Sequence, residues 1–216
     1  NIGYNREGRG FLLDFSPEIN YHKHYINRYA FLFNEYIGNK YVYLPELSLR
    51  YTGQKTFQFD NSHKTIALYL GGENKEFRKY PDEYAVQLLR LLNRQGYNLL
   101  LIGDENDNIK HTQYAEEARI DHLINLTART TIEGFINTIA NVDLIITIDS
   151  SALHIAAAVK TPFIALMGLS TSPTSTILPK VPLGRILKIE NNLIREEDYI
   201  RNITPDLILK TISELI

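Results

Sequence analysis

Short apolar runs alternate with amphipathic stretches along the chain from about Lys64 onward. The apolar runs show almost no alternation of polar with apolar residues, which is typical of parallel strands buried on both faces. The first run ends in Gly71 and Gly72, which mark the turn where a strand leaves the sheet. The predicted strands are residues 65–72, 98–103, 123–127, 143–148 and 163–168, with residues 185–190 as an edge strand.

The amphipathic stretches predict helices between these strands. Pro81 suits the first turn of the helix that follows the first strand, and Gly96 marks its end. Thr204 is a good N-cap for a closing helix, with Pro205 at its first position. The predicted helices are residues 81–95, 109–118, 131–140, 152–159 and 204–216.

Strands that alternate with helices predict right-handed βαβ units, and therefore an α/β fold with a doubly wound parallel sheet. The chain before this region lacks the alternation. It predicts a strand over residues 11–15, a helix over 24–37, a Pro-broken extended segment over 41–49 and a linker near 54–63. We expect this piece to be the end of another domain. The predicted divisions are residues 1–61, 62–203 and a C-terminal helix over 204–216.

Composition narrows the class of protein. The net charge of −2 gives no basic field to recruit nucleic acid, and no nucleic-acid partner is expected. The absence of cysteine excludes disulfides and thiolate zinc sites. No apolar run approaches the roughly 18 residues that a membrane-spanning helix requires. Because the chain begins with Asn1 rather than Met, we expect it to be an internal piece of a longer protein.

Asp149, Ser150 and Ser151 stand between a predicted strand and a short Ala-rich helix. In an open α/β sheet, ligands bind at the carboxyl ends of the strands, and free N–H groups at a helix N-terminus favour a phosphate. Backbone and hydroxyl donors of the two serines suit that anion. The Asp149 carboxylate would repel it, and fits a helix cap or a sugar hydroxyl better. The plainer interpretation is an ordinary N-cap.

Other candidates each have a structural alternative. Arg78 and Lys79, after the first glycine turn, either reach a phosphate or are solvated charges. Asp107, in the acidic segment after Gly103, either binds ribose hydroxyls or serves a helix cap. His154 is either a packed side chain or a functional group.

Nucleotide motifs of other classes are missing from the sequence. It contains neither a G-x-G-x-x-G fingerprint after a strand nor a G-x-x-x-x-G-K-[ST] loop. These absences count against dinucleotide oxidoreductases and P-loop enzymes.

Three segments in order carry a family resemblance: LGGENKEFRKYP (residues 70–81), LLIGDENDN (100–108) and IDSSALHIAAAVKTPFIALMG (148–168). Together they resemble the donor-binding half of the heptosyltransferase family, glycosyltransferase family 9. Residues 126–135 look like the family's loop beside the nucleobase, and the opening of the chain looks like the end of its acceptor domain. The family positions matched in the third segment are Asp149, Ser150, His154, Thr161, Pro162 and Gly168.

The resemblance implies a GT-B enzyme, with two Rossmann-like domains facing a cleft and the nucleotide sugar held by the C-terminal one. This chain would be that C-terminal domain with a remnant of the second Rossmann-like domain. The implied reaction is an inverting, metal-independent transfer of heptose from ADP-heptose to the lipopolysaccharide core, with no cofactor. The implied partners are a nucleotide-sugar donor and a glycolipid acceptor at the membrane surface. Such an enzyme is cytoplasmic and peripheral at the inner membrane.

By position, the resemblance places Arg78 on the donor phosphates, with Lys79 as the alternative, and Asp107 near the ribose. Ser150 and Ser151 would hold the diphosphate. The family's catalytic base, an Asp in its N-terminal domain, has no match in this chain. The implied donor-binding residues are Gly71, Gly72, Arg78, Lys79, Gly103, Asp107, Thr130, Asp149, Ser150, Ser151 and His154.

Three residues depart from the family pattern. Ser151 replaces a glycine, Glu73 stands where a small hydroxyl residue is common, and Arg78 replaces a lysine. They affect the identity of the donor more than the fold. Two other functions stay open at this point: a nucleotide-sugar epimerase of similar architecture, and a non-catalytic nucleotide-binding domain.

Overall fold

The computed structural model describes residues 1–20, 25–41, 47–59, 62–71, 78–168, 178–179, 181–189 and 195–216. The chain divides into two compact units. One consists of Asn1–Leu47 with Thr171–Leu178, and the other of Ser48–Ser170 with Pro179–Ile216.

A parallel sheet forms the centre of the second unit. Within the described residues its strands are β1 (Thr65–Tyr69), β2 (Asn98–Leu101), β3 (Leu123–Asn125), β4 (Leu144–Ile148), β5 (Phe163–Leu166) and β6 (Gly184–Leu187). They lie in the order β3-β2-β1-β4-β5-β6, and every neighbouring pair is parallel. The order reverses between β1 and β4, which makes that boundary the topological switch point. The predicted doubly wound parallel sheet is confirmed.

Helices cover the sheet, as the strand patterns require. In the part of the chain that the structure describes, the α-helices of this unit are α2 (Asp82–Arg94), α3 (Asn108–Ala118), α4 (Ile132–Ala140), α5 (Ser151–Val159) and α6 (Pro205–Ile212), and α1 (Tyr25–Tyr36) belongs to the first unit. The buried residues of α2, α3 and α6 share one apolar core with alternate residues of the inner strands, such as Ile66 and Leu68. Because side chains alternate across a strand, Ala67 and its counterparts face the other side, where α4 packs against α5.

Sequence signals at the helix ends act as predicted. Thr204 accepts a hydrogen bond from the Leu207 backbone N–H at 3.3 Å, so it is the N-cap of α6. Thr131 caps α4 in the same way, accepting from the Gly134 N–H at 3.1 Å. β4 ends at its predicted limit, Ile148, whereas β1, β2, β3 and β5 end two or three residues before theirs.

The predicted strand over residues 11–15 is wrong. The structure has a 3-10 helix at Gly10–Leu12, and Phe15 makes a single bridge to Ile2. The physical reason is local. The Leu12 and Leu13 N–H groups donate to the carbonyls of Arg9 and Gly10 at 3.0 and 3.1 Å, so these backbone groups are not offered to a neighbouring strand.

Several predicted segments lie partly outside the described residues. Those not described are residue 24 of the helix over 24–37, residues 42–46 of the extended segment over 41–49, residues 60–61 of the linker near 54–63, residue 72 of the strand over 65–72 and residue 190 of the strand over 185–190. The described part of this last strand pairs with β5 as β6, at the edge of the sheet as expected. No helix within the described ranges is long and apolar enough to cross a membrane.

Residues 48–59 lie against α4 and α5 of the second unit. The Leu49 N–H donates to the Ala158 carbonyl at 3.3 Å, and the Thr52 N–H donates to Asn137 Oδ1 at 3.1 Å. Thr56 and Thr138 hydroxyls are 2.6 Å apart. The first part of the expected linker therefore packs on these helices, and the predicted domain division after residue 61 stays a prediction.

Candidate functional site

The carboxyl ends of β1 and β4 meet at the switch point. Tyr69 pairs with Thr147 across the two strands. The chain then leaves β1 towards α2 on one face of the sheet and leaves β4 towards α5 on the other. A crevice between two such exits is where open α/β sheets bind ligands. Of the predicted site residues, Gly71 and Arg78 lie on the β1 exit and Asp149 begins the β4 exit.

An ion pair joins the two exits. Arg78 Nη1 lies 3.8 Å from Asp149 Oδ2, and the two side chains are only 18% and 16% exposed. The separation is too long for a hydrogen bond between these two atoms, but it lies within ion-pair distance, and partial burial reduces the screening of the two charges by water. The pair holds a guanidinium at the mouth of the crevice, next to the N-terminus of α5.

Ser150 is the N-cap of α5. Its Oγ accepts a hydrogen bond from the Ala152 N–H at 3.2 Å and lies 2.9 Å from Thr147 Oγ1. Because the Thr147 hydroxyl donates to the Ile148 carbonyl, the Ser150 hydroxyl donates to Thr147. Ser150 is therefore an N-cap, as the plainer interpretation holds, and its hydroxyl proton is already donated within the protein.

The first turn of α5 presents other groups to solvent. Ser151 is exposed at the first helical position, and His154 is half-buried one turn later on the same side. The N-terminus of this helix carries the positive end of its dipole, which favours a negative charge there.

Lys79 is held away from this ion pair by α2 and α3. Its Nζ lies 2.8 Å from Asp82 Oδ1, and Lys110 Nζ lies 2.8 Å from the other carboxylate oxygen. The Tyr114 hydroxyl donates to the same carboxylate at 2.5 Å. Burial opposes the ionisation of Asp82, but these hydrogen bonds outweigh it and hold the pKa of its carboxyl well below the usual range. Of the two basic candidates, Arg78 is the one directed at the β4 exit.

Tyr80 fixes the segment that carries both basic residues. Its side chain is fully buried, its N–H donates to the Leu70 carbonyl at 3.3 Å, and its hydroxyl donates to the Ile203 carbonyl at 2.9 Å. Burial raises the pKa of this phenol far above its usual range, so it remains a donor. The segment is thereby tied to the end of β1 and to the residues before α6.

Asp107 is not displayed at the surface. It is 6% exposed, and its Oδ2 accepts a hydrogen bond from the Asp104 N–H at 3.3 Å as part of a capping box. Its carboxylate lies against Gly71 and Gly103, at the ends of β1 and β2. The structure brings these three predicted residues together, but as a packed cluster. Gly72 and Glu73 lie outside the described residues.

Thr130 lies in the loop that follows β3, half-buried and directly before the cap of α4. The loop is tied to α3 by a residue that sequence analysis missed. His111 is fully buried, with Nδ1 2.7 Å from the Thr127 hydroxyl. Burial lowers the pKa of this imidazole to about 4, so it is neutral at physiological pH. Nothing in the spacing of His111 signals this role, because Thr127 is its partner only in the folded chain.

The comparisons with known proteins identify the family. The family model for glycosyltransferase family 9 (heptosyltransferase) matches residues 1–197. The chain belongs to glycosyltransferase family 9.

Relatives agree with this assignment. The chain is 31% identical over 158 residues to lipooligosaccharide heptosyltransferase 2 of Haemophilus influenzae, an alignment that covers 68% of this chain and 45% of the relative. The chain thus spans about half the length of the curated relatives it matches.

Solved structures of the family share the fold. The ADP-heptose lps heptosyltransferase II of Escherichia coli matches with a TM-score of 0.81 at 22% identity, over 99% of this chain and 68% of that one. The heptosyltransferase WaaC of Escherichia coli, solved with ADP-2-deoxy-2-fluoro heptose, matches with a TM-score of 0.69 at 16% identity, over 94% and 60% of the two chains. At these identities the likeness shows the fold alone. It confirms the predicted family fold.

A cavity of about 320 Å³ lies at the opposite end of the sheet from the switch point, where β1 and β2 begin. We call it the amino-end groove. Its lining includes Lys55, Phe57, Phe59, Thr65, Asn98 and Asp143. This position argues against the groove as the nucleotide-binding site, because ligands of doubly wound sheets bind at the carboxyl ends of the strands.

Proposed function

We propose that this chain is the donor-binding part of an inverting glycosyltransferase that transfers heptose from ADP-heptose to a lipopolysaccharide core acceptor. The observation that carries the proposal is the placement of Arg78 beside Asp149, at the switch point and at the N-terminus of α5. The relatives support it, because WaaC was solved with an ADP-heptose analogue.

The proposed chemistry of this half is stabilisation of the departing nucleotide. When the bond to the sugar breaks, negative charge develops on the diphosphate. The Arg78 guanidinium and the N–H groups of α5 supply positive charge and fixed donors for it, without reorganising during the reaction. Arg78 would replace its contact with Asp149 by one with a phosphate. Asp149 would then accept a hydrogen bond from a sugar hydroxyl.

The remaining parts of the reaction rest on the family. We place the catalytic base outside the matched segments of this chain, and the acceptor is a glycolipid at the membrane surface. The enzyme would work in the cytoplasm as a peripheral protein of the inner membrane. No nucleic acid, metal or cofactor enters the proposed reaction.

Calorimetric titration of the chain with ADP, UDP, GDP and an ADP-sugar tests the proposal. We expect saturable binding that favours ADP. Arg78→Gln should weaken ADP binding by about tenfold or more, because it removes a charge-assisted contact to phosphate. Lys79→Gln is the matched control, with the same change of charge one residue away, and should weaken binding by less than about threefold. Equal losses in both variants, or a preference for UDP or GDP, would contradict the proposed site or donor.

A further inference from the structure

The Asp107 carboxylate occupies space that a side chain on either neighbouring glycine would need. A Cβ added to Gly71 would lie 1.7 Å from Asp107 Oδ1 and 2.1 Å from its Cγ. A Cβ added to Gly103 would lie 2.7 Å from Oδ2. The carboxylate therefore packs directly on the backbone at the ends of β1 and β2.

Glycine is needed at both positions because the Asp107 carboxylate packs closely on the backbone, and not because the backbone conformation is unusual. Neither is among the described glycines with positive φ, which are Gly8, Gly38, Gly53 and Gly96. An L-residue could adopt the backbone conformation of Gly71, so the constraint at this position is the carboxylate of Asp107.

The position of Asp107 matters because Gly71 begins the segment that leads to Arg78. The far side of this segment is fixed by Tyr80, whose N–H donates to the carbonyl of Leu70, the residue before Gly71. Asp107 and Tyr80 thus hold two described points of the β1 exit, one at Gly71 and the other directly before α2.

Binding to ribose hydroxyls requires an exposed carboxylate, and the carboxylate of Asp107 is buried. A carboxylate that binds ribose hydroxyls presents its oxygens to the crevice, whereas Asp107 is 94% buried. Its Oδ2 accepts the Asp104 N–H, and its Oδ1 faces Gly71. We infer that Asp107 is a positioning residue, which fixes Gly71 at the end of β1 where the exit towards Arg78 begins, and that it does not bind the ribose. The inference rests on the proposed function for the identity of the ligand.

A double-mutant cycle in thermal unfolding, without nucleotide, tests the contact. Gly71→Ala should lower Tm by about 5 °C or more, because its methyl group meets the carboxylate. The same substitution should cost much less in a chain that also carries Asp107→Ala, since the space is then free. Gly134→Ala is the control. Its Cβ would meet no atom closer than 3.4 Å, and Tm should not fall. Additive losses for Gly71→Ala and Asp107→Ala would overturn the contact.

A comparison of two nucleotides separates positioning from ribose binding. Titration of the wild-type chain and Asp107→Ala with ADP and with 2′,3′-dideoxy-ADP should show the same loss for both nucleotides, about tenfold, because the β1 exit at Gly71 is disturbed in each case. A ribose ligand would instead lose affinity for ADP alone. A loss confined to ADP, or no loss for either nucleotide, would overturn the inference.

Failure of the proposed function gives a different pattern. If the wild-type chain binds neither nucleotide, the donor assignment fails and the positioning role for donor phosphates fails with it. The double-mutant cycle in thermal unfolding still decides whether Asp107 packs on Gly71. The two failures are therefore distinguishable.

Discussion

The exits of β4 and β1 form the two walls of the candidate site, and they are built in different ways. The β4 exit is held by neighbours in sequence: Ser150 caps α5 and bonds to Thr147, three residues before it. The β1 exit is held by distant residues, with Tyr80 bonded to Ile203, 123 positions along the chain, and Gly71 packed on Asp107. A short motif can encode the first wall, whereas the second requires the whole unit to fold.

The largest expected effect comes from loosening the β1 exit. Tyr80→Ala should destabilise the chain by about 3–5 kcal/mol, because it leaves a cavity at a fully buried position. Tyr80→Phe keeps the ring and removes only the bond to Ile203, and should cost about 1–2 kcal/mol. Urea unfolding of both variants measures this. Equal costs would mean that packing of the ring contributes nothing beyond its hydroxyl.

The loop after β3 offers a second long-range anchor, and its strength should depend on pH. Because the pKa of His111 is about 4 in the folded chain and near 6.5 when unfolded, the unfolded chain binds the proton more readily. Stability from this group is complete above pH 6.5 and is lost as the pH falls through 4. The shift corresponds to at most about 3 kcal/mol.

His111→Gln isolates that contribution, since glutamine can still hydrogen-bond to Thr127 without titrating. The free energy of unfolding, measured by urea denaturation from pH 7.5 to 4, should fall less steeply in the variant than in the wild-type chain. Parallel curves for the two proteins would contradict the assignment of this pH dependence to His111.

Substitutions at the β4 exit should change the free energy of unfolding less than those above, but they should clearly change the affinity for nucleotide. Ser150→Ala removes a cap and should cost about 1 kcal/mol of unfolding free energy. Ser150→Asp retains a good capping residue, so its stability should change little, while its charge should weaken nucleotide binding by about tenfold. Unchanged ADP affinity in Ser150→Asp would count against a phosphate at the N-terminus of α5.

This contrast also explains what the sequence could predict. Apolar runs and caps such as Ser150 and Thr204 are local patterns, and they correctly predicted the strands and helices of the second unit and the position of the β4 exit. The family resemblance favoured Arg78 over Lys79, but local patterns alone left both residues open. The contact that separates them is the one between Lys79 and Asp82, and Asp82 also receives Lys110 and Tyr114 from another helix.

The same limit applies to the remaining residues of the site. Asp107 follows a strand, as ribose ligands do, but its burial depends on two glycines at the ends of different strands. The incorrect prediction of a strand over residues 11–15 has a local cause and not a long-range one. Its apolar residues suggested a strand, while local bonds within the 3-10 helix, which the apolar pattern does not report, determined the backbone.

The central claim is that the two exits together bind a nucleotide diphosphate. A crystal structure of the 216-residue chain with ADP tests it most directly. We predict phosphate oxygens within about 3.2 Å of the Arg78 guanidinium and of backbone N–H groups in the first turn of α5. A nucleotide bound in the amino-end groove, between Lys55 and Asp143, or phosphates that do not contact Arg78, would contradict the claim.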